Sequence, residues 1–440
     1  MTLGKPGVLT WSIDEFIADL EKRSIAAFHI TYDPDTKVIN TSHPELLQEV
    51  GEYFLAEHTD FDGHEGRSRV LQGAFVHRTC RGAGAGGVRN WSYDTVEDWL
   101  RDGMRLSKGM THKNALAKLW WGGGKGCMVR NSGRGLRHED DKAERQLVYA
   151  EYGAFISSLR GCYVTAEDVG TSVEDMAAVF SQTRFTTCIP PALGGSGNPS
   201  IPTAKGIIKG LEAAFAYHGK SLSGATIAVQ GTGHVGTPLI HYLFEAGVQR
   251  VIASDVDDLR AKQATKEFAG HDFTFKFAER GDNSILFEDV DAVCPCATGG
   301  VLNPETIPQI KTKIICGAAN NQLADITHDD QLLQEQGIIY VPDFLVNRMG
   351  IVNCADEAVG SLDNDPYIES HLGTVDENSI YNLTFHVLKK AHESHCTPQQ
   401  IALQLAEARS WELSPLWGHR SIEIIKSLIK SPEWLQKLRA

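Results

Sequence analysis

Lys113 and Lys125 bracket the segment KNALAKLWWGGGK, the second directly after three glycines. An ammonium is costly to desolvate unless it is paired. Glycines serve where backbone must turn tightly or a ligand must come close. Gly122-Gly123-Gly124-Lys125 after an apolar stretch therefore points to a lysine delivered into a crowded, partly dry site. A lysine there can have a lowered pKa and act on a carbonyl or a water. The competing reading is a surface glycine turn beside a solvated lysine.

A second chemical signature lies in residues 224–258. Thr226 to Gln230 is a short apolar run of β-formers, and it predicts a buried parallel strand. Gly231, Gly233 and Gly236 follow as G-x-G-x-x-G, with His234 and Val235 inside the fingerprint. Leu239, Ile240, Leu243 and Phe244 mark a helix that Gly247 stops. Val251 to Ser254 forms a second strand, ending at Asp255 about twenty residues past the last glycine. In this context the fingerprint is that of a dinucleotide site. Gly231 permits the turn, Gly233 lets pyrophosphate approach, and Gly236 packs helix on strand. Asp255 is read as the acceptor for a ribose 2′-hydroxyl, which favours NAD over NADP. The alternative is a glycine-rich turn with no ligand.

These residues need a large scaffold, and the composition allows one. A chain of 440 residues suggests two domains, and 42% hydrophobic with 22% charged residues is ordinary for a globular protein. The net charge of −14 argues against a nucleic-acid partner. No apolar run is long enough for a membrane partner, and the N-terminus has no signal-peptide core. Nine scattered cysteines fit a reducing, cytoplasmic setting. Cys294-Pro-Cys296 is too tight for a zinc pair and reads as buried strand, so no metal is expected.

Further strands are expected at 291–296, 313–318 and 337–341, alternating with helices as in a doubly wound sheet. Upstream, Thr95-Val-Glu-Asp98 is a capping-box helix start, with Val96, Trp99, Leu100 and Met104 on its apolar face. The expected architecture is α/β with two domains. Residues 1–200 form a substrate-binding, catalytic and oligomerisation domain, and 201–374 a Rossmann-type domain, with a cleft between them. Helices from about 375 to 440 are expected to pack back on the first domain.

The motif series resembles the glutamate/leucine/phenylalanine/valine dehydrogenase family, and most its leucine and phenylalanine branch. It comprises Ala85-Gly-Gly-Val-Arg89, Gly109-Met-Thr-His-Lys113, Gly122-Gly-Gly-Lys-Gly126 and Thr165-Ala-Glu-Asp-Val-Gly170. It continues with Gly194-Gly-Ser-Gly-Asn-Pro-Ser200, the glycine fingerprint, Pro295-Cys-Ala297, Ala319-Asn-Asn-Gln-Leu323 and Pro342-Asp343…Ala355-Asp-Glu357. The resemblance implies oxidative deamination of an L-amino acid to a 2-oxo acid and ammonium by a homo-oligomer, with NAD taking the α-hydride. It implies that Lys113 holds the substrate carboxylate. Lys125 activates the attacking water, and a neighbouring Lys113 helps to lower its pKa. Asp168 moves protons on the amino nitrogen. Thr203, Ala297, Asn320 and Asn321 surround the cofactor. The substrate side chain meets Ala85, Gly86, Met110, Ile351 and Cys354. Glu167 is read as structural. Asp168 as a helix-start acid and the asparagines as turn formers are the bland alternatives.

The departures bear on the substrate. Ala85 and Cys354 are smaller than the leucine branch's residues, which opens room for a phenylalanine- or tryptophan-like side chain. Asn347-Arg348-Met349-Gly350 replaces smaller residues, and either large side chain can refill that room. Trp120-Trp121, extra residues between Lys125 and Asp168, and an unassigned N-terminal extension also depart from the family. The glutamate branch has a lysine at the position of Ala85, so glutamate is the weaker substrate reading. A non-catalytic NAD-binding sensor has no need of Lys113, Lys125 and Asp168 together.

Overall fold

The computed structural model describes residues 7–25, 27–33, 38–41, 70–133, 136, 142–360, 362 and 364–431. They fall into two compact units: residues 1–198 with 407–440, and residues 199–406.

The first unit begins with α1 (Ile13–Lys22), which a Ser12–Glu15 capping box starts. β1 (Ile30–Asp33) and β2 (Val38–Thr41) pair antiparallel. β3 (Gln72–Val76), β4 (Gly84–Ala85), β5 (Val88–Trp91), α2 (Val96–Leu116) and β6 (Gly122–Val129) follow. α3 (Lys142–Ser158), β7 (Tyr163–Val164) and α4 (Val173–Phe180) come next. β6 is the centre of the sheet. β3 runs antiparallel along one edge, while β4 and β5 run parallel along the other, and β7 extends the sheet beyond β4.

α2 opens at the expected capping box. Asp98 N–H donates to Thr95 Oγ1 at 3.1 Å, and the Asp98 carboxylate accepts from Thr95 N–H at 3.2 Å. Such a cap stabilises a helix by about 1 kcal/mol. Val96, Trp99, Leu100 and Met104 are buried, with Trp99 edge-on to Phe75 of β3 at 5.6 Å. Each such burial contributes roughly 1.5–3 kcal/mol. The helix lies directly on β6: a Cβ on Gly123 would stand 2.1 Å from Thr111 Oγ1. The glycine run is therefore buried strand beneath a helix and not a surface turn.

The second unit starts with α5 (Ser200–Tyr217) and continues with β8 (Thr226–Gln230), α6 (Gly236–Glu245), β9 (Arg250–Asp255), α7 (Asp258–Glu267) and β10 (Asp272–Phe277). β11 (Ala292–Pro295), β12 (Ile314–Ile315), α8 (His328–Glu335), β13 (Ile339–Tyr340), α9 (Asp343–Val346) and α10 (Met349–Glu357) follow. α11 (Pro366–Leu372), α12 (Ile380–Ser394) and α13 (Pro398–Ser410) end this stretch, and α14 (Arg420–Lys430) lies in the first unit. The sheet order is β10-β9-β8-β11-β12-β13 with every pairing parallel. This is the doubly wound order, with the direction of winding reversing between β8 and β11.

One expected boundary is corrected. Residues 375–406 belong to the second unit, not the first. α12 packs along α5, where Ile380 meets Gly206 and Phe385 stands edge-on to Tyr217 at 5.8 Å. Of the described residues beyond 375, those from 407 to 431 join the first unit. Buried Arg81 donates there to Leu119 O at 2.8 Å and Arg409 O at 3.2 Å and pairs with Glu412, while Arg78 lies over the Trp411 ring at 3.7 Å.

Candidate functional site

In the first unit the structure brings Lys125 and Asp168 together. Lys125, on β6, is 4% exposed, and its Nζ lies 2.7 Å from Asp168 Oδ2. Asp168 follows β7 in a tight turn. Its N–H donates to Thr171 Oγ1 at 2.8 Å, and Thr171 N–H donates to Asp168 O at 3.0 Å. The turn fixes the carboxylate against the lysine, so Asp168 is an ion-pair partner and not a helix-start acid.

A second cation reaches the same oxygen. Arg89, on β5, holds Nε 3.4 Å from Asp168 Oδ2, while its Nη1 lies 3.1 Å from Asp102 Oδ2. Asp102, buried on α2, also accepts from Tyr93 Oη and Arg105 Nη2, both at 2.8 Å. Burial works to raise the Asp168 pKa. The charges of Lys125 and Arg89, the Lys125 hydrogen bond and the Val169 N–H outweigh it and hold the group at about 2. For Arg89, burial favours the neutral form, and Asp168 with Asp102 overcomes it, so its pKa rises. Glu167 behaves oppositely to Asp168. Burial, then the charges of Asp168, Glu174 and Asp175, push it up to about 7. Sequence reasoning assigned Arg89 and Asp102 no role. The available signal was an arginine inside a strand motif and an acid one turn before Arg105 on a helix.

Lys113 is half-buried in the last turn of α2. Gly86 is buried against β6: a Cβ there would stand 2.0 Å from Gly124 O and 3.0 Å from Met110 Cγ. Tyr163 Oη donates to Gly86 O at 2.7 Å. Gly86, Met110 and Lys125 thus gather around β6. Ala85 is 1% exposed in β4.

In the second unit the expected cofactor residues fall at the carboxyl ends of adjacent strands: Gly231 after β8, Asp255 at the end of β9, Ala297 after β11 and Asn320 after β12. Ligands bind doubly wound sheets along this edge. Gly231 takes the left-handed φ of 93°, and a Cβ on Gly236 would stand 1.9 Å from Gly231 O. At Gly233 a Cβ would meet only the Arg260 guanidinium, 3.1 Å away, so this backbone is open to an approaching phosphate. His234 is exposed and Val235 half-buried at the start of α6. A helix N-terminus offers free N–H groups and positive partial charge to an anion. These residues fit a dinucleotide, with Gly231, Gly233 and the α6 N-terminus toward its pyrophosphate.

Asp255 lies beside the glycine loop. It is 8% exposed, and protein donors occupy both oxygens: Thr232 N–H at 2.8 Å and Oγ1 at 3.2 Å on one, Val256 and Asp257 N–H at 2.8 and 3.1 Å on the other. In this structure it fastens the glycine loop, and Arg260 stands 3.7 Å away. Asn321 adopts the left-handed φ of 54°, which is the turn-former role. Asn320 Oδ1 accepts from Asn347 Nδ2 at 2.9 Å. Ala297 abuts Gly231. Thr203 Oγ1 donates to Pro199 O at 2.8 Å and sits beside Gly350.

Ile351 and Cys354 are buried on α10. Arg348 and Met349 are each 0% exposed. Arg348 Nη2 turns inward to His371 Nδ1 at 3.3 Å and to Asn378 O. Cys294 is buried in β11 as expected, whereas Cys296 follows the end of the strand and is half-buried.

A doubly wound dinucleotide unit and a buried lysine–aspartate pair in one chain define a nicotinamide-dependent oxidoreductase. The chain belongs to the Glutamate/Leucine/Phenylalanine/Valine dehydrogenase family: residues 54–185 match its dimerisation domain and residues 194–416 its dehydrogenase domain. It is therefore an amino-acid dehydrogenase that uses a nicotinamide dinucleotide. It is 41% identical to leucine dehydrogenase of Bacillus subtilis over 287 residues, 65% of this chain and 74% of that one. It is 35% identical to valine dehydrogenase of Streptomyces coelicolor over 367 residues, 81% and 95% of the two chains. The crystal structure of L-tryptophan dehydrogenase from Nostoc punctiforme matches with a TM-score of 0.60 at 31% identity, covering 78% of this chain and 92% of that one. The family read from the motifs is the family found.

Proposed function

We propose that this enzyme deaminates a bulky apolar L-amino acid, phenylalanine- or tryptophan-like or leucine, to its 2-oxo acid and ammonium, and runs the reverse amination. NAD, when bound, accepts the hydride from the substrate Cα. The observation that carries the reading is the Lys125–Asp168 contact at 2.7 Å in a buried strand.

The residues divide the work. Lys113 holds the substrate carboxylate as a charge-assisted partner. Asp168, ionised at any working pH, relays a proton from the substrate ammonium to solvent and returns to its carboxylate form. Once the α-hydride has left, water adds to the iminium carbon, and Lys125, having released its own proton to solvent, takes the proton that this water sheds. As an ammonium, Lys125 then steadies the carbinolamine oxygen. Asp168, with a pKa near 2, stores no proton at a working pH, so Lys125 within hydrogen-bond reach is the source of the proton that the leaving nitrogen needs. Amino acid, NAD and water give oxo acid, ammonium, reduced NAD and one proton.

Substrate choice rests on the resemblance at Met110, Ile351 and Cys354, and on alanine, not lysine, at position 85. Alanine there offers a substrate side-chain carboxylate no charge partner of its own. The relatives' names, leucine, valine and tryptophan dehydrogenases, support an apolar side chain. The negative charge of Asp255 supports NAD over NADP. A homo-oligomer is supported by the dimerisation-domain match and by exposed Trp91, Trp120, Trp411 and Trp417 in the first unit. A cytoplasmic setting is supported by nine free cysteines. Among the described residues no helix is long and apolar enough to cross a membrane.

The test is a panel of L-amino acids with NAD and NADP, following absorbance of the reduced cofactor. Turnover is expected with phenylalanine, tryptophan and leucine, little with valine and none with glutamate. No turnover with any amino acid overturns the reading.

A further inference from the structure

We propose that Arg89 is a positioning residue of the deamination: it keeps the Asp168 carboxylate paired while Lys125 is without its proton. The inference rests on the role of Lys125 given above.

Asp168 Oδ2 is shared by two cations of different character. A lysine can give up its proton, whereas an arginine stays charged at every working pH. When Lys125 acts as base, a carboxylate with lysine as sole partner is left buried and uncompensated, which strongly opposes the loss of that proton. Arg89 removes the obstacle, because its Nε remains at Oδ2 whatever the state of Lys125.

Arg89 is itself held in place. Its Nη1 is bound by Asp102, which Tyr93 and Arg105 fix in turn. The guanidinium therefore bridges two carboxylates and cannot swing away from Asp168 without breaking both contacts. The charged and titratable groups around the pair are Lys125 and Cys127 of β6, Arg89 of β5, Tyr93 ahead of α2, Asp102 and its partner Arg105 on α2, and Glu167 beside Asp168. Arg89 is the cation within 4 Å of Asp168 besides Lys125 among the described residues.

The experiment compares parent, Arg89→Gln and Arg89→Lys as full-length enzymes, measuring kcat/KM against pH with saturating NAD. The acid limb of such a profile reports the group that must shed a proton. Without the arginine charge, Asp168 holds the lysine proton more tightly. Arg89→Gln should move the acid limb up by about one pH unit. At neutral pH kcat should fall about tenfold to a hundredfold, while the amino-acid KM changes less than about threefold. Arg89→Lys keeps the charge and should leave the limb within about 0.3 pH units of the parent. A loss of activity that is equal at all pH values means a merely structural role and overturns the proposal. So does a one-unit shift in Arg89→Lys, a result that decides the matter even where Arg89→Gln does not fold. Affinity for reduced NAD, read by fluorescence, checks that the second unit is intact in each variant. A parent that turns over no amino acid sinks the functional reading and this inference together. A parent that turns over, with an unmoved limb in Arg89→Gln, sinks this inference alone.

Discussion

Asp255 is bound to Thr232 twice, by the Thr232 N–H at 2.8 Å and its hydroxyl at 3.2 Å. Thr232 is the residue between the first two glycines of the fingerprint, so the acid at the end of β9 determines the shape of the loop that β8 delivers. Asp255→Ser removes charge-assisted bonds worth about 1.5–3 kcal/mol each at most. Affinity for reduced NAD should fall about tenfold or more, and the preference over reduced NADP should narrow because a negative charge is gone. Fluorescence titrations with both cofactors check this. Unchanged affinity for both would show that the loop holds its shape without the acid.

Lys125→Ala should cut kcat by about a thousandfold or more, the loss expected for a group acting in the transition state. The fingerprint lies in the other unit, so affinity for reduced NAD should change less than about twofold. Lys113→Ala should chiefly raise the amino-acid KM, since it removes a ground-state carboxylate contact. Steady-state kinetics on both variants decide the assignment. More than a tenth of kcat remaining in Lys125→Ala would rule out the proposed base.

Glu167 gives a pH-dependent stability with a definite sign. Its folded-state pKa of about 7 lies above the ordinary 4.5, so the folded chain binds the proton more tightly than the unfolded chain. The penalty is absent below the unfolded value, grows as pH rises from about 4.5 and is complete above about 7. Its Oε2 is buried without a hydrogen-bond partner among the described residues. Glu167→Gln should stabilise the protein by about 1–2 kcal/mol at pH 8 and by nothing at pH 4. Urea unfolding at the two pH values measures it, and equal effects at both would mean that the carboxyl is not strained.

Local pattern was legible in the sequence, and long-range pairing was not. The α2 capping box, the β8–α6–β9 unit and its three glycines rest on contacts within a few residues, and the structure has them where the pattern puts them. β10 went unread although Phe273, Phe275 and Phe277 alternate with polar residues. It is an edge strand, half-exposed, and lacks the continuous apolar run that marks its neighbours. The Gly122–Gly124 run suggested a turn or a ligand approach because nothing local announces that Thr111 and Tyr163 occupy the space a side chain would need. The Arg89–Asp168 and Arg89–Asp102 contacts join β5 to a distant loop and to α2, and no spacing rule connects them. The division at 406/407 depends on Arg81 and Arg78 meeting residues more than 300 positions later.

Arg348 supplies the last prediction. As a departure from the family at the mouth of α10, it stood as a charge that could fill the substrate pocket. In the structure it is 0% exposed and bridges α10 to His371 of α11 and to the Asn378 carbonyl ahead of α12. Its charge, after the cost of burial, is what drives His371 down to about 3, so His371 stays neutral and can accept from the guanidinium. Arg348→Ala should leave a cavity and an unpaired carbonyl, and so lower stability by about 2–4 kcal/mol. The ranking of phenylalanine, leucine and valine by kcat/KM should stay the same, because the guanidinium is taken up by His371 and the Asn378 carbonyl. A pocket-filling arginine predicts the reverse pattern: little change in Tm and a shift of about tenfold toward larger substrates. Thermal unfolding and the three kcat/KM values, measured on one variant, separate the two. A shifted ranking at unchanged Tm would return Arg348 to the pocket and reopen the question of which side chain it admits.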